Sequence, residues 1–211
     1  MPPHETKDTI LDAAEALFAE QGFAATSLRQ LTQQADVNLA AVNYHFGSKE
    51  ELVKAVLLRR MAPINAERRR RLEALAAPTT EDVVRAFLEP ALRAIGGADA
   101  DGRGKLQGFA RIIGRVTVEQ PAFLRPFIAE QFADLASDYV AALQVAAPGL
   151  DARAAWLRMH FTIGAMAHTL QSSHLLTQIS GGTCAADEPE ELLDQLVAYA
   201  VGGFDAERCA R

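Results

Sequence analysis

Apolar residues recur at helical spacing from near the start of the chain. Ile10, Ala14, Leu17 and Phe18 line one face of a segment from about Glu5 to Gln21, and Gly22 follows its last apolar turn, where a left-handed C-cap is expected. Thr26 or Ser27 can cap a second helix. Gln30, three places after Ser27, completes a capping box, Leu28, Leu31 and Ala35 form the inner stripe, and the helix ends near Asp36. Asn38 can cap a third, very short helix that runs to about Phe46. Val42 and Phe46 share one of its faces, Asn43 and Tyr44 point elsewhere, and Gly47 stops it. Ser48 with Glu51 forms a second capping box, opening a long helix whose stripe is Leu52, Val53, Val56 and Leu57; Pro63 is expected to kink or break it one turn later.

Beyond a linker at Ala76–Thr80, Thr79 and Asp82 open a helix that reaches Ile95 and stops at Gly96 and Gly97. Further helical stretches are expected over 105–118, from Pro121 or Pro126 to Ala147, and over 151–179 and 189–204, separated at Gly102/Gly104, Pro148-Gly149 and Gly181-Gly182. Almost nothing alternates with period two. The fold class is therefore all-α: a three-helix N-terminal domain over residues 1–50, then a larger helical bundle over 51–211, with about nine helices in total.

Composition changes this picture little, and charge changes it in one respect. The 211 residues carry no run of apolar residues long enough for a membrane span and no basic-then-apolar leader, so a cytoplasmic protein without membrane attachment is expected. Cys184 and Cys209 match no metal or redox spacing and read as free thiols. The net charge of −6 argues against nucleic acid, but it is unevenly placed. Met1 to Ala77 holds 10 Lys and Arg against 10 Asp and Glu, while Pro78 to Arg211 holds 11 against 17, so the front is neutral and can carry a local basic face.

Two short helices joined by a tight turn and resting on a first helix form the helix-turn-helix plan, whose last helix enters the major groove of DNA. The short helix ending at Phe46 cannot be stable alone, so its neighbours must hold it, and presenting side chains to a groove is a reason to do so. The residues GFAATSLRQLTQQADVNLAAVNYHFGSKEELV resemble the DNA-binding segment of the TetR family of bacterial repressors. Gly22-Phe23, Thr26-Ser27, Ala35-Asp36-Val37, Tyr44-His45-Phe46 and Ser48-Lys49-Glu50-Glu51-Leu52 carry the likeness, across about a quarter of the chain.

That resemblance implies that Thr26, Tyr44 and Lys49 contact phosphates, with the helix N-terminus at Lys49 adding its backbone N–H groups and dipole. It also implies that Leu39, Ala40 and Asn43 face bases, that His45 lies near the backbone, and that Arg29 is a further candidate. Asn43 can read an adenine edge bidentately, whereas Leu39 and Ala40 offer only apolar contact, for instance to a thymine methyl. The family more often has a basic or small polar residue at Leu39 and a Tyr at Asn43, so the operator sequence stays open. Leu39 can alternatively be a core residue, and Tyr44 a half-buried aromatic.

The resemblance further implies a homodimer, a palindromic site in double-stranded DNA, and a small-molecule effector held between the helices of the second domain. Phe109, Ile112, Ile113, Val116, Phe123, Phe127 and Phe132, then Trp156, Met159, Phe161, Met166 and Leu170, form stripes that read as core. Some of them can also line an adaptable apolar pocket, for which Phe109, Arg111, Ile113, Phe127, Met159 and Met166 are the candidates. Arg111 and Arg115 can meet an acidic ligand head or simply acids such as Glu119. Val42 to Asn65 also looks like a branch that includes regulators answering to long-chain acyl compounds, which makes an apolar acid or acyl thioester the expected ligand. Gly164, Ala165 and Ala167, with Leu192, Leu196, Tyr199 and Ala200, are expected at a four-helix dimer interface.

Other features carry less. Arg68 to Arg71 spread around a helix and read as a solvated or acid-paired surface. His160, His168 and His174 lack the spacing of a helical metal site, and neither Asp99–Gly102 nor Gly102–Gly104 completes a calcium or dinucleotide loop, so no cofactor or metal is expected. No nucleophile elbow, phosphate loop or di-metal pattern supports an enzyme. The competing alternative is a helical module that binds protein instead of DNA.

Overall fold

In the computed structural model, the described residues are 3–96, 112–114, 116, 121–184 and 189–206. Every regular element among them is a helix: α1 (Pro3–Ala25), α2 (Leu28–Ala35), α3 (Leu39–Phe46), α4 (Lys49–Glu73), α5 (Thr80–Gly96), α6 (Leu124–Ala146), α7 (Ala152–Ile179) and α8 (Pro189–Asp205). No described helix is long and apolar enough to cross a membrane. The chain forms two compact units. One comprises Met1–Pro63 with Ala98–Ile128, the other Ile64–Gly97 with Ala129–Arg211.

The first unit is organised by local caps. Ser27 and Gln30 make the complete capping box of α2, and Asp36 ends that helix in the left-handed region at φ 52°. The Asn38 side chain accepts from the Ala41 N–H at 2.8 Å to open α3. Gly47 closes α3 at φ 73°, ψ −49°, with its N–H on the Asn43 carbonyl at 2.9 Å. At Ser48 only half of the expected box forms: its hydroxyl accepts from the Glu51 N–H, while the Glu51 carboxylate turns to Lys54 at 2.7 Å. Gly22 also departs from expectation. Its φ of 84° and ψ of 171° are not a left-handed cap but a kink, after which one more turn of α1 follows.

The buried apolar residues of this unit are those of the periodic stripes: Ile10, Ala14, Leu17 and Phe18 on α1, Leu31 and Ala35 on α2, Val42 and Phe46 on α3, and Leu52, Val53, Val56 and Leu57 on α4. α2 and α3 both pack on α1. Phe18 and Phe23 meet edge to face at 5.4 Å across the Gly22 kink. Pro63 does not break α4, which continues to Glu73; the division between the two units falls at that proline.

The second unit is a helical bundle in which α8 packs on α5 and α7. Its core joins Val83, Phe87 and Leu88 of α5, Leu135, Tyr139 and Leu143 of α6, Met159 of α7, and Leu193, Leu196, Val197 and Phe204 of α8. Thr79 and Asp82 form the reciprocal bonds that open α5. Those bonds, from the Thr79 hydroxyl and N–H, hold the Asp82 carboxyl below its ordinary range. Polar ties add to it: Thr80 donates to Asp205 at 3.1 Å, Arg85 pairs with Asp194 at 2.7 Å, and Arg158 donates to the Phe204 carbonyl of α8 and to that of Ala206 just past its end. α7 bends at Ser172 (φ −125°, ψ 17°), whose hydroxyl donates back to the His168 carbonyl.

Candidate nucleic-acid interface

α3 has eight residues, of which two are buried, four exposed and two, Ala41 and His45, half-buried. Val42 and Phe46, one turn apart, face inward at 2% and 8% exposure. Leu39, Ala40, Asn43 and Tyr44 are all exposed, and their spacing of one and four residues puts them on one face. Leu39 is 50% exposed and Tyr44 84% exposed, which removes the core alternative for the first and the half-buried alternative for the second. A helix this short is held mainly by its two buried side chains and its caps, so the exposed apolar and aromatic groups add little to the packing of this unit.

Of the other residues picked out by the resemblance, Arg29 is exposed on α2, while Lys49, at the first position of α4, and His45 are half-buried. The His45 ring meets Tyr44 edge to face at 5.1 Å and so steadies it. Thr26 is corrected. It is 2% exposed, and its hydroxyl donates to the Gly22 carbonyl at 2.8 Å, so the side chain secures the kinked end of α1 and is not available to a phosphate. Lys54 is tied to Glu51, and Glu50 is exposed beside Lys49. The face is therefore only thinly cationic, and its chemistry is an amide, a phenol and two apolar groups flanked by Arg29 and Lys49.

The effector residues are distributed as follows. Phe109 and Arg111, with Arg115 and Glu119, lie outside the described residues, as do Cys209 and the turn at 99–104. Ile113 and Phe127, both half-buried, fall in the first unit. Met159 and Met166 fall in the second, Met159 within the core and Met166 packed against it. Trp156 and Phe161 do not join that core; they are 46% and 61% exposed on α7, with Leu157, Ile163, Leu175, Leu176 and Ile179 also exposed along the same helix. At the Ser172 bend an apolar groove of about 180 Å³ is lined by His168, Ser172, Leu175, Leu176, Ile179 and Leu192. Of the residues expected at a dimer interface, Gly164 and Tyr199 are exposed, but Leu196 and Ala200 are buried within their own unit and face its core.

The run Arg68 to Arg71 is also corrected in part. Arg69 pairs with Asp138 at 3.4 Å, and Arg70 and Arg71 both hold Glu67 at 2.7 Å, which draws the Glu67 carboxyl down to about 2. Arg68 is instead 3% exposed and pairs with no described carboxylate. A signal for this was present: Leu57, Met61, Ile64, Arg68 and Leu72 follow one another at steps of three and four, so Arg68 continues the inner stripe of α4.

Residues 10–56 match the family model described as bacterial regulatory proteins, tetR family, and residues 85–203 match that of the tetracyclin repressor-like C-terminal domain. An HTH-type transcriptional repressor of Mycobacterium tuberculosis is 51% identical over 53 residues, which are 25% of this chain; the chain thus spans 28% of that relative's length. Among solved structures, a TetR-like transcriptional regulator from Rhodococcus sp. RHA1 superposes with a TM-score of 0.70 at 18% identity, covering 98% of this chain and 100% of the other. The fatty acid degradation regulator FadR from Bacillus halodurans does so with a TM-score of 0.67 at 14% identity, over 94% and 95%. At these identities the two structures speak for the fold alone.

Proposed function

The chain belongs to the TetR family of bacterial regulatory proteins, and from that premise we propose that it is a transcriptional repressor that binds a palindromic operator as a homodimer and is released by a small apolar or acyl-type molecule. The observation that carries the DNA reading is the outer face of α3. Leu39, Ala40, Asn43 and Tyr44 stand exposed on a helix whose other side is locked by Val42 and Phe46. In a major groove, Asn43 would take an adenine edge and Leu39 and Ala40 thymine methyls. Tyr44, Arg29 and Lys49 would hold phosphates, Lys49 together with the N-terminal amides of α4.

Dimerisation is supported by Trp156, Leu157, Phe161, Ile163, Ile179 and Tyr199, large side chains left exposed on α7 and α8; an apolar surface of this kind usually marks an interface. A two-fold axis through it calls for a two-fold symmetric operator. Release works by population shift: the effector favours a dimer whose two recognition helices are wrongly spaced for successive major grooves. α4 is the element to carry the change, because one continuous helix begins at Lys49 in the first unit and ends at Glu73 in the second.

Fluorescence anisotropy against the DNA upstream of the chain's own gene, across salt concentrations, tests the reading. Binding should be salt-sensitive, resist competitor DNA and weaken in both Tyr44→Phe and Lys49→Ala, and light scattering should give two 22.8 kDa chains with or without effector. Absence of binding at low salt to that or any selected DNA would overturn it in favour of a protein-binding module.

A further inference from the structure

Within the second unit, Arg68 is a cation held almost wholly out of water by neutral groups. Its Nε donates to the Phe87 carbonyl at 2.8 Å, Nη1 to the Asn65 side-chain oxygen at 3.2 Å, and Nη2 to the Met166 sulfur at 3.6 Å. The guanidinium carbon stands 4.0 Å from the centre of the Phe87 ring. The Tyr139 hydroxyl donates to the Arg68 carbonyl at 2.8 Å and pins the backbone beneath it. Each of its neighbours in the run reaches a carboxylate, yet Arg68 meets none among the described residues. Burial pulls its pKa down to about 10, so it still carries a full charge at neutral pH. Moving an ion from water into a protein interior is expensive unless an opposite charge and good hydrogen bonds compensate. Here both terminal amino groups have two N–H bonds and, among the described residues, one acceptor apiece, and one of those acceptors is a thioether, a weak one.

We propose that Arg68 is the anchor for the carboxylate head of the effector, a monoanionic amphiphile whose apolar body lies against Phe87 and Met166. This rests on the ligand-responsive reading above and names the ligand's class. The fork of Nη1 and Nη2 matches the two oxygens of a carboxylate. Met166, which closes that fork, has an unbranched side chain that repacks easily and can yield the position to a stronger acceptor. Balance of charge chooses the head group: one buried positive charge is neutralised by a carboxylate, whereas a phosphate dianion would leave a buried excess.

The test compares the unchanged protein with Arg68→Met, Arg68→Lys and Arg69→Gln, by melting temperature and calorimetric titration. The probes are straight-chain carboxylates from hexanoate to hexadecanoate and naphthoate, each with its matching primary amide, and octyl phosphate. Carboxylates should stabilise the unchanged protein saturably and amides should not. Arg68→Met should melt at or above the unchanged protein, since a similar apolar volume replaces an uncompensated ion, and should bind carboxylate about thirtyfold or more weakly. Arg68→Lys should fall between, keeping the charge without the fork, and Arg69→Gln should respond normally. Failure of every carboxylate to bind, equal binding of amides, preference for octyl phosphate, or unaltered carboxylate affinity in Arg68→Met would each overturn the assignment. So would a lowered melting temperature in Arg68→Met, which would make Arg68 a structural strut. Anisotropy on bound DNA separates the two readings. Release by an amide but no carboxylate removes the anchor and leaves the ligand-responsive repressor; carboxylate binding through Arg68 without release does the reverse.

Discussion

Replacing Glu15 should loosen α1 from α4 within the first unit. Glu15 is 4% exposed, and Arg60 Nε donates to its two carboxylate oxygens at 2.9 and 3.1 Å. Arg59 donates to one of the same oxygens and reaches Asp12 at 2.9 Å with its other amino group, while its Nε is buried without an acceptor. Glu15 thus faces two cations from α4, Arg59 sharing it with Asp12 and Arg60 pairing with Glu15 itself. Stranding a buried charge costs about 3–5 kcal/mol. Both arginine side chains keep 23% exposure and can recover some water, so we expect Glu15→Ala to lose about 2–4 kcal/mol. Glu15→Gln, which keeps length and an acceptor, should lose roughly half of that. At about 2–4 °C per kcal/mol for a chain of this length, Glu15→Ala should melt roughly 5–15 °C lower.

Urea denaturation followed by circular dichroism gives these values directly. A double-mutant cycle of Glu15→Ala with Arg60→Ala should show a coupling of about 1 kcal/mol or more, because removing both partners strands less charge than removing one. A loss below about 0.5 kcal/mol in Glu15→Ala, or a coupling near zero, would refute the reasoning: the pair would then behave as an exposed ion pair despite its burial.

Thr26→Val should cost about 1 kcal/mol in urea denaturation, by losing the bond to the Gly22 carbonyl, while leaving DNA affinity unchanged by anisotropy; a loss of affinity without loss of stability would return Thr26 to the interface. Gly47→Ala should cost about 1–2 kcal/mol from backbone strain alone, since φ is +73° and an added Cβ would meet nothing within 4 Å; an unchanged midpoint would show that the turn relaxes. Glu67 has a pKa of about 2 when folded, against 4.5 ordinarily, because Arg70 and Arg71 donate to it. Its contribution is therefore complete above the ordinary value and lost as pH falls from 4.5 toward 2, so Glu67→Gln should flatten the acid limb of the stability curve over that window; identical limbs would contradict this.

What could be read from the chain beforehand, and what could not, divides along a physical line. The caps at Ser27, Asn38 and Thr79 were legible because each is a bond between a side chain and a backbone group three residues away, and no tertiary partner is needed to make it. The exposed face of α3 was legible for a similar reason: two buried apolar residues one turn apart fix the orientation of the other six. Failures come where residue type and position disagree and a partner distant in sequence decides. Trp156 and Phe161 look like core residues, yet α7 turns them outward, while Leu196 and Ala200 look available and are consumed by the core of their own unit. Thr26 looks like a phosphate ligand, but the Gly22 kink brings a carbonyl to its hydroxyl. Arg68 is the sharpest case, because its type says surface and its place in the stripe of Leu57, Met61, Ile64 and Leu72 says interior; position prevails, since α4 cannot rotate one residue outward without exposing the other four. A leucine there would satisfy position and type together. A cation that satisfies only one of them is a local inconsistency of the kind proteins keep at functional sites, which is why Arg68, absent from every motif of the N-terminal helices, is the residue at which the search for the effector should begin.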